Sequence, residues 1–199
     1  VTRCASNQRL CTSAGVERSR NLLGMVWRHS YQRSVVVEAD VVPRAYVVRP
    51  DGDYRYFKQI GGLWVGREDK SETLEELFDN GVTVGWQYTT AEDETELYDA
   101  AGQLLSITSR SGTVTHLIYS DIATLPEIAP GPGYLIAAVD AWRRSLQWRY
   151  TPTGMLSQTI DPAGAVHGYS FDTQRRLASV MRPDGTLRQY LYNETAYVA

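Results

Sequence analysis

Three histidines, two cysteines and one run of acidic side chains are the residues from which this sequence could assemble a reactive site. His29, His116 and His167 stand apart from one another and from any second ligand at zinc spacing. No serine-histidine-aspartate spacing, Gly-x-Ser-x-Gly elbow or phosphate loop accompanies them. His116 and His167 also occupy positions where other copies of the repeat described below carry Leu146, Gln147, Arg188 or Gln189. Such free exchange between internal copies suits a surface position. Glu92, Asp93, Glu94 and Glu96 offer the oxygen ligands that calcium takes, but a solvated loop is the simpler reading and the one preferred. Cys4 and Cys11 lie in a polar, aperiodic opening, Val1 to Arg20, expected to be a flexible arm. A disulfide closing a small loop is one reading of the pair; free thiols or an intermolecular bond are the others. The expectation is a chain with no catalytic residues, no metal and no cofactor, and so not an enzyme.

The elements that would position these groups come from a repeat. Tyr150, Phe171 and Tyr192 each close an aromatic-x-aromatic triplet, and the three are spaced 21 residues apart. Turn signals fall at Arg143, Gly154, Gly164, Arg175 and Gly185, in steps of 11, 10, 11 and 10. Each repeat therefore reads as two short strands, a hairpin. An earlier copy holds turns at Gly102 and Gly112, with Tyr119 standing 21 residues after Tyr98. Thr124 to Gly133 then interrupts the phase. Arg49-Pro50-Asp51-Gly52 and Arg182-Pro183-Asp184-Gly185 are turns by composition, since proline presets φ and glycine accepts φ > 0.

Strand alternation places Trp148 with Tyr150, Tyr169 with Phe171, and Tyr190 with Tyr192 on one face. If hairpins lie side by side, these rings form an aromatic stripe across the sheet. Packing against each other or a neighbouring layer is the first reading of such a stripe. A platform for stacking sugar rings is the second.

The 199-residue chain is 43% hydrophobic and 22% charged, ordinary for a globular protein with a sizeable core. A net charge of −3 counts against a nucleic-acid surface. No apolar run approaches the length of a membrane span, and no basic-then-apolar signal layout opens the sequence. Short strands are expected at Arg28 to Ala39, Ala45 to Val48, Tyr54 to Gln59 and Leu63 to Gly66. Over Ser71 to Asn80, Thr73-Leu74-Glu75-Glu76 matches a helical capping box, yet a strand running into Asn80-Gly81 is preferred.

Tyr169-Ser170-Phe171-Asp172-Thr173-Gln174-Arg175-Arg176-Leu177, with Asp161-Pro162-Ala163-Gly164 before it and Pro183-Asp184-Gly185 after it, resembles the YD repeat of Rhs proteins. Gly24-Met25-Val26-Trp27-Arg28-His29-Ser30-Tyr31 is similar to the Gly-x-x-Trp-x-x-x-Tyr lead-in that precedes those repeats in bacterial Rhs toxins. Arg143 and Arg175 stand where the pattern has glycine, and Thr151 and Asn193 where it has aspartate.

The resemblance implies an all-β protein of consecutive antiparallel hairpins in a twisted, coiled repeat sheet, a fragment of an Rhs-type β-shell. It divides the chain into an arm at 1–20, a lead-in region at 21–134 with irregular hairpins and a first repeat at 96–120, and regular repeats at 135–199. It also implies a bacterial scaffold whose shell encloses a toxic C-terminal domain, exported by a type VI apparatus or a comparable route. Such a protein would be cytoplasmic before export and then secreted or at the cell surface. Expected partners are the rest of the shell and its toxin domain, or a second copy covering the sheet edge. The alternative is a carbohydrate-binding module using Trp148, Tyr150, Tyr169, Phe171, Tyr190 and Tyr192. Asp161-Pro162-Ala163-Gly164 resembles the family's aspartic self-cleaving element, but Ala165 follows the glycine and the register is that of an ordinary repeat turn, which is the expected role.

Overall fold

The computed structural model describes residues 22–24 and 27–192, together with the backbone of a two-residue strand, β1 (Thr2–Arg3). Cys4, Cys11, the rest of the arm and Asn193 lie outside the described residues. All elements among the described residues are strands. β1 pairs with β2 (Trp27–Arg28). β3 (Ser34–Glu38), β4 (Arg44–Val48), β5 (Tyr54–Ile60) and β6 (Leu63–Val65) then form a four-stranded antiparallel sheet in sequence order.

The second sheet has eleven strands and is a meander without crossovers. It comprises β7 (Thr73–Asp79), β8 (Val82–Thr89), β9 (Thr95–Asp99), β10 (Leu104–Thr108), β11 (Val114–Tyr119) and β12 (Leu135–Val139). It continues with β13 (Ser145–Tyr150), β14 (Leu156–Ile160), β15 (Val166–Phe171), β16 (Leu177–Met181) and β17 (Leu187–Gln189). Thr73 to Asp79 is thus a strand. Its Glu76 accepts from Thr83 Oγ1 at 2.6 Å and from Trp64 Nε1 at 3.0 Å, cross-strand contacts that replace the helical cap. The break in hydrogen bonding falls at residues 66–72, between the sheets. The sheet runs unbroken past residue 134, where β11 pairs β12.

The turns explain the period. At β9–β10 the Gly102 N–H donates to Asp99 O and the Asp99 N–H to Gln103 O, both at 2.9 Å. This is a type I turn closed by a left-handed residue. The Asp99 carboxylate accepts the N–H groups of Ala101 and Gln103, so an aspartate after the tyrosine holds the turn by its side chain. Thr151 does the same for Met155 at 3.0 Å. Gly102, Gly112, Gly154, Gly164 and Gly185 have φ between 79° and 85°. Arg143 and Arg175 take the same conformation at 64° and 61° despite their Cβ atoms.

One core joins the layers. The inner face of the small sheet (Val35, Ala45, Val47, Phe57) packs on Leu74, Trp86, Tyr88 and Tyr98 of the large one, with Trp64 edge-on to Trp86 at 5.5 Å. The phase-breaking loop at 120–134 folds back on the sheet: Ser120 N–H donates to Tyr134 O, Tyr150 N–H to Ile128 O, and the Tyr134 ring lies 4.8 Å from that of Tyr150.

Candidate functional site

In a meander, alternate turns share an edge. The turns at Asp99–Gly102, 120–134, Thr151–Gly154 and Asp172–Arg175 form one row, and the lead-in residues 22–24 and 27–35 lie along it. Leu156 N–H donates to Leu22 O at 2.7 Å, and Val35 N–H to Gly102 O at 3.0 Å. A Cβ on Gly24 would lie 2.6 Å from Arg175 O, so only glycine permits that approach. On the other edge, a Cβ at Gly112, Gly164 or Gly185 would meet nothing within 4 Å among the described residues. One row of turns is a seat for the lead-in segment.

The repeat rings are the rest of the seat. Trp148 and Tyr150 are buried, and Tyr169, Phe171 and Tyr190 are half-buried against the core. All lie on one face, but they do not stack on one another across the sheet. Trp148 is opposite Thr159 and Tyr169 opposite Val180, so an aromatic-poor strand separates each pair of ring-bearing ones. The rings meet the lead-in segment instead: Tyr31 edge-on to Trp148 at 5.5 Å, His29 over it at 5.6 Å, and Trp27 edge-on to Tyr190 at 5.0 Å. Trp27 Nε1 donates to Tyr192 Oη at 3.0 Å. The resemblance had singled out Trp27 and Tyr31; their role in the fold is to cover the repeats' aromatic face.

The acidic run divides. Glu92 and Asp93 are exposed in the β8–β9 turn, with Asp93 3.5 Å from Arg110. Glu96 is a correction to the solvated-loop reading, being fully buried. Its carboxylate takes Arg49 at 2.7 Å, Arg33, and the Tyr98 hydroxyl. Arg33 also reaches Glu94 at 2.7 Å, and the Arg49 guanidinium lies 5.1 Å over the Tyr88 ring. Arg33 comes from the lead-in segment, Arg49 from the small sheet and Glu96 from the large one, so this triad ties three parts of the molecule. Burial alone would raise the Glu96 pKa, but the bonds and charges of Arg49 and Arg33 hold it below the usual carboxylate value. Burial and the Glu96 charge push Tyr98 well up. Alternation with Tyr98 was the available sign that Glu96 faces inward.

The histidines fall in three settings. His116 is exposed, and His167 is half-buried in β15. His29 is buried, and desolvation above all lowers its pKa to about 3. The Asp161 carboxylate accepts the N–H groups of Ala163 and Ala165, the bonding of a repeat turn. No group of three or more metal-ligating side chains occurs among the described residues, and none of their helices could span a membrane.

Comparison with known proteins agrees with this architecture. The RHS Repeat family model matches residues 98–126, the stretch from Tyr98 through β10 and β11 into the following loop. Over 107 residues, 54% of the chain, the sequence is 33% identical to double-stranded DNA deaminase toxin A of Burkholderia cenocepacia (strain H111). The chain spans 7% of that relative's length. It is also similar to a chain in the crystal structure of TcdB2-TccC3-Cdc42, at 15% identity and a TM-score of 0.37, over 80% of this chain and 11% of that one. With the Tyr-Asp turns and the 21-residue hairpin period, the family-model match defines the class: a repeat-sheet protein. Over residues 98–126 the chain is similar to the RHS, or YD, repeat.

Proposed function

We propose that this chain is a structural scaffold, part of the wall of an Rhs shell that encloses a toxic C-terminal domain of the longer protein. The observation that carries the reading is the division of labour just described. The large sheet's aromatic face and one row of turns are taken up by the chain's own lead-in segment and 120–134 loop, leaving a repetitive sheet whose side chains hold structure. Asp99, Asp161 and Asp172, the carboxylates that recur with the repeat, are bound in their own turns. In this reading the chain does no chemistry, and its partners are further repeats and the enclosed domain. A bacterial origin and export through a type VI or comparable route belong to the same proposal.

A sugar platform on the repeat rings is not carried further, because the faces of Trp148 and Tyr150 are covered by Tyr31, His29 and Tyr134. Electron cryomicroscopy of the longer protein tests the scaffold reading. The expected map has this sheet continuing into a closed wall around an internal density. A sheet that ends free, with the C-terminal domain outside it, would overturn the proposal.

A further inference from the structure

Beneath the lead-in segment lies a cavity of about 40 Å³, lined by His29, Ser34, Gln103, Tyr119 and Tyr134 among others. Both ring nitrogens of His29 and the Ser34 hydroxyl are buried and find no hydrogen-bond partner among the described residues. A neutral imidazole needs one acceptor and one donor, and an unmet buried polar group costs about 1–3 kcal/mol. The lining is mainly apolar, but His29 and Ser34 bring three polar atoms to it, enough partners for a water, and its size exceeds the roughly 10–15 Å³ that one water needs. We propose that this cavity is a buried hydration site, that ordered water there completes the hydrogen bonding of His29 and Ser34, and that mild acid consequently releases the lead-in segment from the turns.

The acid step follows from what faces His29. The other titratable groups around the cavity are Tyr31, Arg33, Tyr119 and Tyr134, and Arg28 precedes it in sequence. None of these described residues is a carboxylate, and Glu94 and Glu96 are held by Arg33, so no carboxylate of the lining meets an imidazolium. Water can bridge a neutral ring, but it cannot neutralise a charged one under Trp148. The histidine of the released segment titrates near its ordinary value of about 6.5, whereas the docked one is lowered to about 3. Docking is therefore at full strength above pH 6.5 and weakens as the pH falls toward the docked value. From pH 7.5 to 5.5, above the range where carboxylates titrate, the opening equilibrium should rise about tenfold.

Hydrogen exchange of the Gln32, Arg33 and Val35 amides, corrected for intrinsic rate, tests this on the whole chain. These amides are bonded to His29 O, Tyr31 O and Gly102 O. The expected result is that tenfold rise, absent in His29→Gln, together with magnetisation transfer from water to the His29 and Ser34 sites. If His29→Gln does not fold, imidazole NMR of the unaltered protein serves, with the ring expected to stay neutral at pH 5.5. Exchange free of pH dependence, the same dependence in His29→Gln, a ring titrating near 6.5, or a cavity without water signals would each overturn the proposal.

Discussion

The Tyr150 hydroxyl donates to the carbonyl of Leu135 at 2.6 Å, across 15 residues of chain. The same bond, at the same separation, joins Tyr119 to Leu104 at 2.7 Å and Tyr192 to Leu177 at 2.8 Å. The accepting leucines are buried, so the tyrosine of each repeat reaches across the sheet to satisfy a carbonyl beside the preceding turn on the same edge. This gives a physical reason for tyrosine, and not merely an aromatic ring, at that position.

Phe171 holds the same offset from Leu156 and has no hydroxyl to give. Phe171→Tyr should therefore stabilise the chain by about 0.5–1.5 kcal/mol, the worth of one net hydrogen bond. Urea denaturation reads this directly; an unchanged or lower midpoint would show that the repeat does not provide an equivalent acceptor.

Glu96→Ala leaves two half-buried guanidinium groups, Arg33 and Arg49, without their shared, fully buried carboxylate. Removing one partner of a buried ion pair costs roughly 3–5 kcal/mol. Because the folded-state pKa of Glu96 is lowered, its contribution is present above the ordinary carboxylate range and is lost as the pH falls through the folded value. A loss below about 1 kcal/mol in chemical denaturation would contradict the burial of the triad.

Gly102 and Gly112 share a backbone conformation but not surroundings. A Cβ on Gly102 would lie 1.8 Å from Val35 O, whereas one on Gly112 would meet nothing. Gly112→Ala should cost only the left-handed penalty, about 1–2 kcal/mol. Gly102→Ala should also dislodge the Val35 contact and cost distinctly more. Equal melting temperatures for the two variants would argue against the seated turn row.

Arg143 is exposed and left-handed at φ 64°, so Arg143→Gly should be neutral or stabilising, by up to about 1 kcal/mol. Arg175→Gly should gain less, because the Arg175 side chain also donates to Thr153 O at 3.3 Å and reaches Met155 Sδ at 3.1 Å. A clear fall in melting temperature for Arg143→Gly would remove the strain argument.

Much of this fold was legible in the residues. The hairpin period, the positive-φ turns and the strand at Thr73 to Asp79 follow from local rules, alternation and turn chemistry, which the chain spells out in order. The path of Leu22 to Val35 does not follow from such rules. It is set by which surface the docked segment covers, and neither Trp27 nor Tyr31 signals in sequence that its partner is Tyr190 or Trp148. The same limit explains the stripe: alternation correctly put the rings on one face, but strand count separated them by β14 and β16. Glu96 was misread because an acidic neighbourhood outweighed its inward register beside Tyr98.

The central claim, that this sheet walls an enclosure, is tested most directly by limited proteolysis of the longer protein that contains the chain. The account expects the C-terminal domain to resist protease in the intact protein and to become cleavable in Glu96→Ala or Trp148→Ala, whose sheet is loosened. A C-terminal domain cut as readily in the intact protein as in those variants would contradict it.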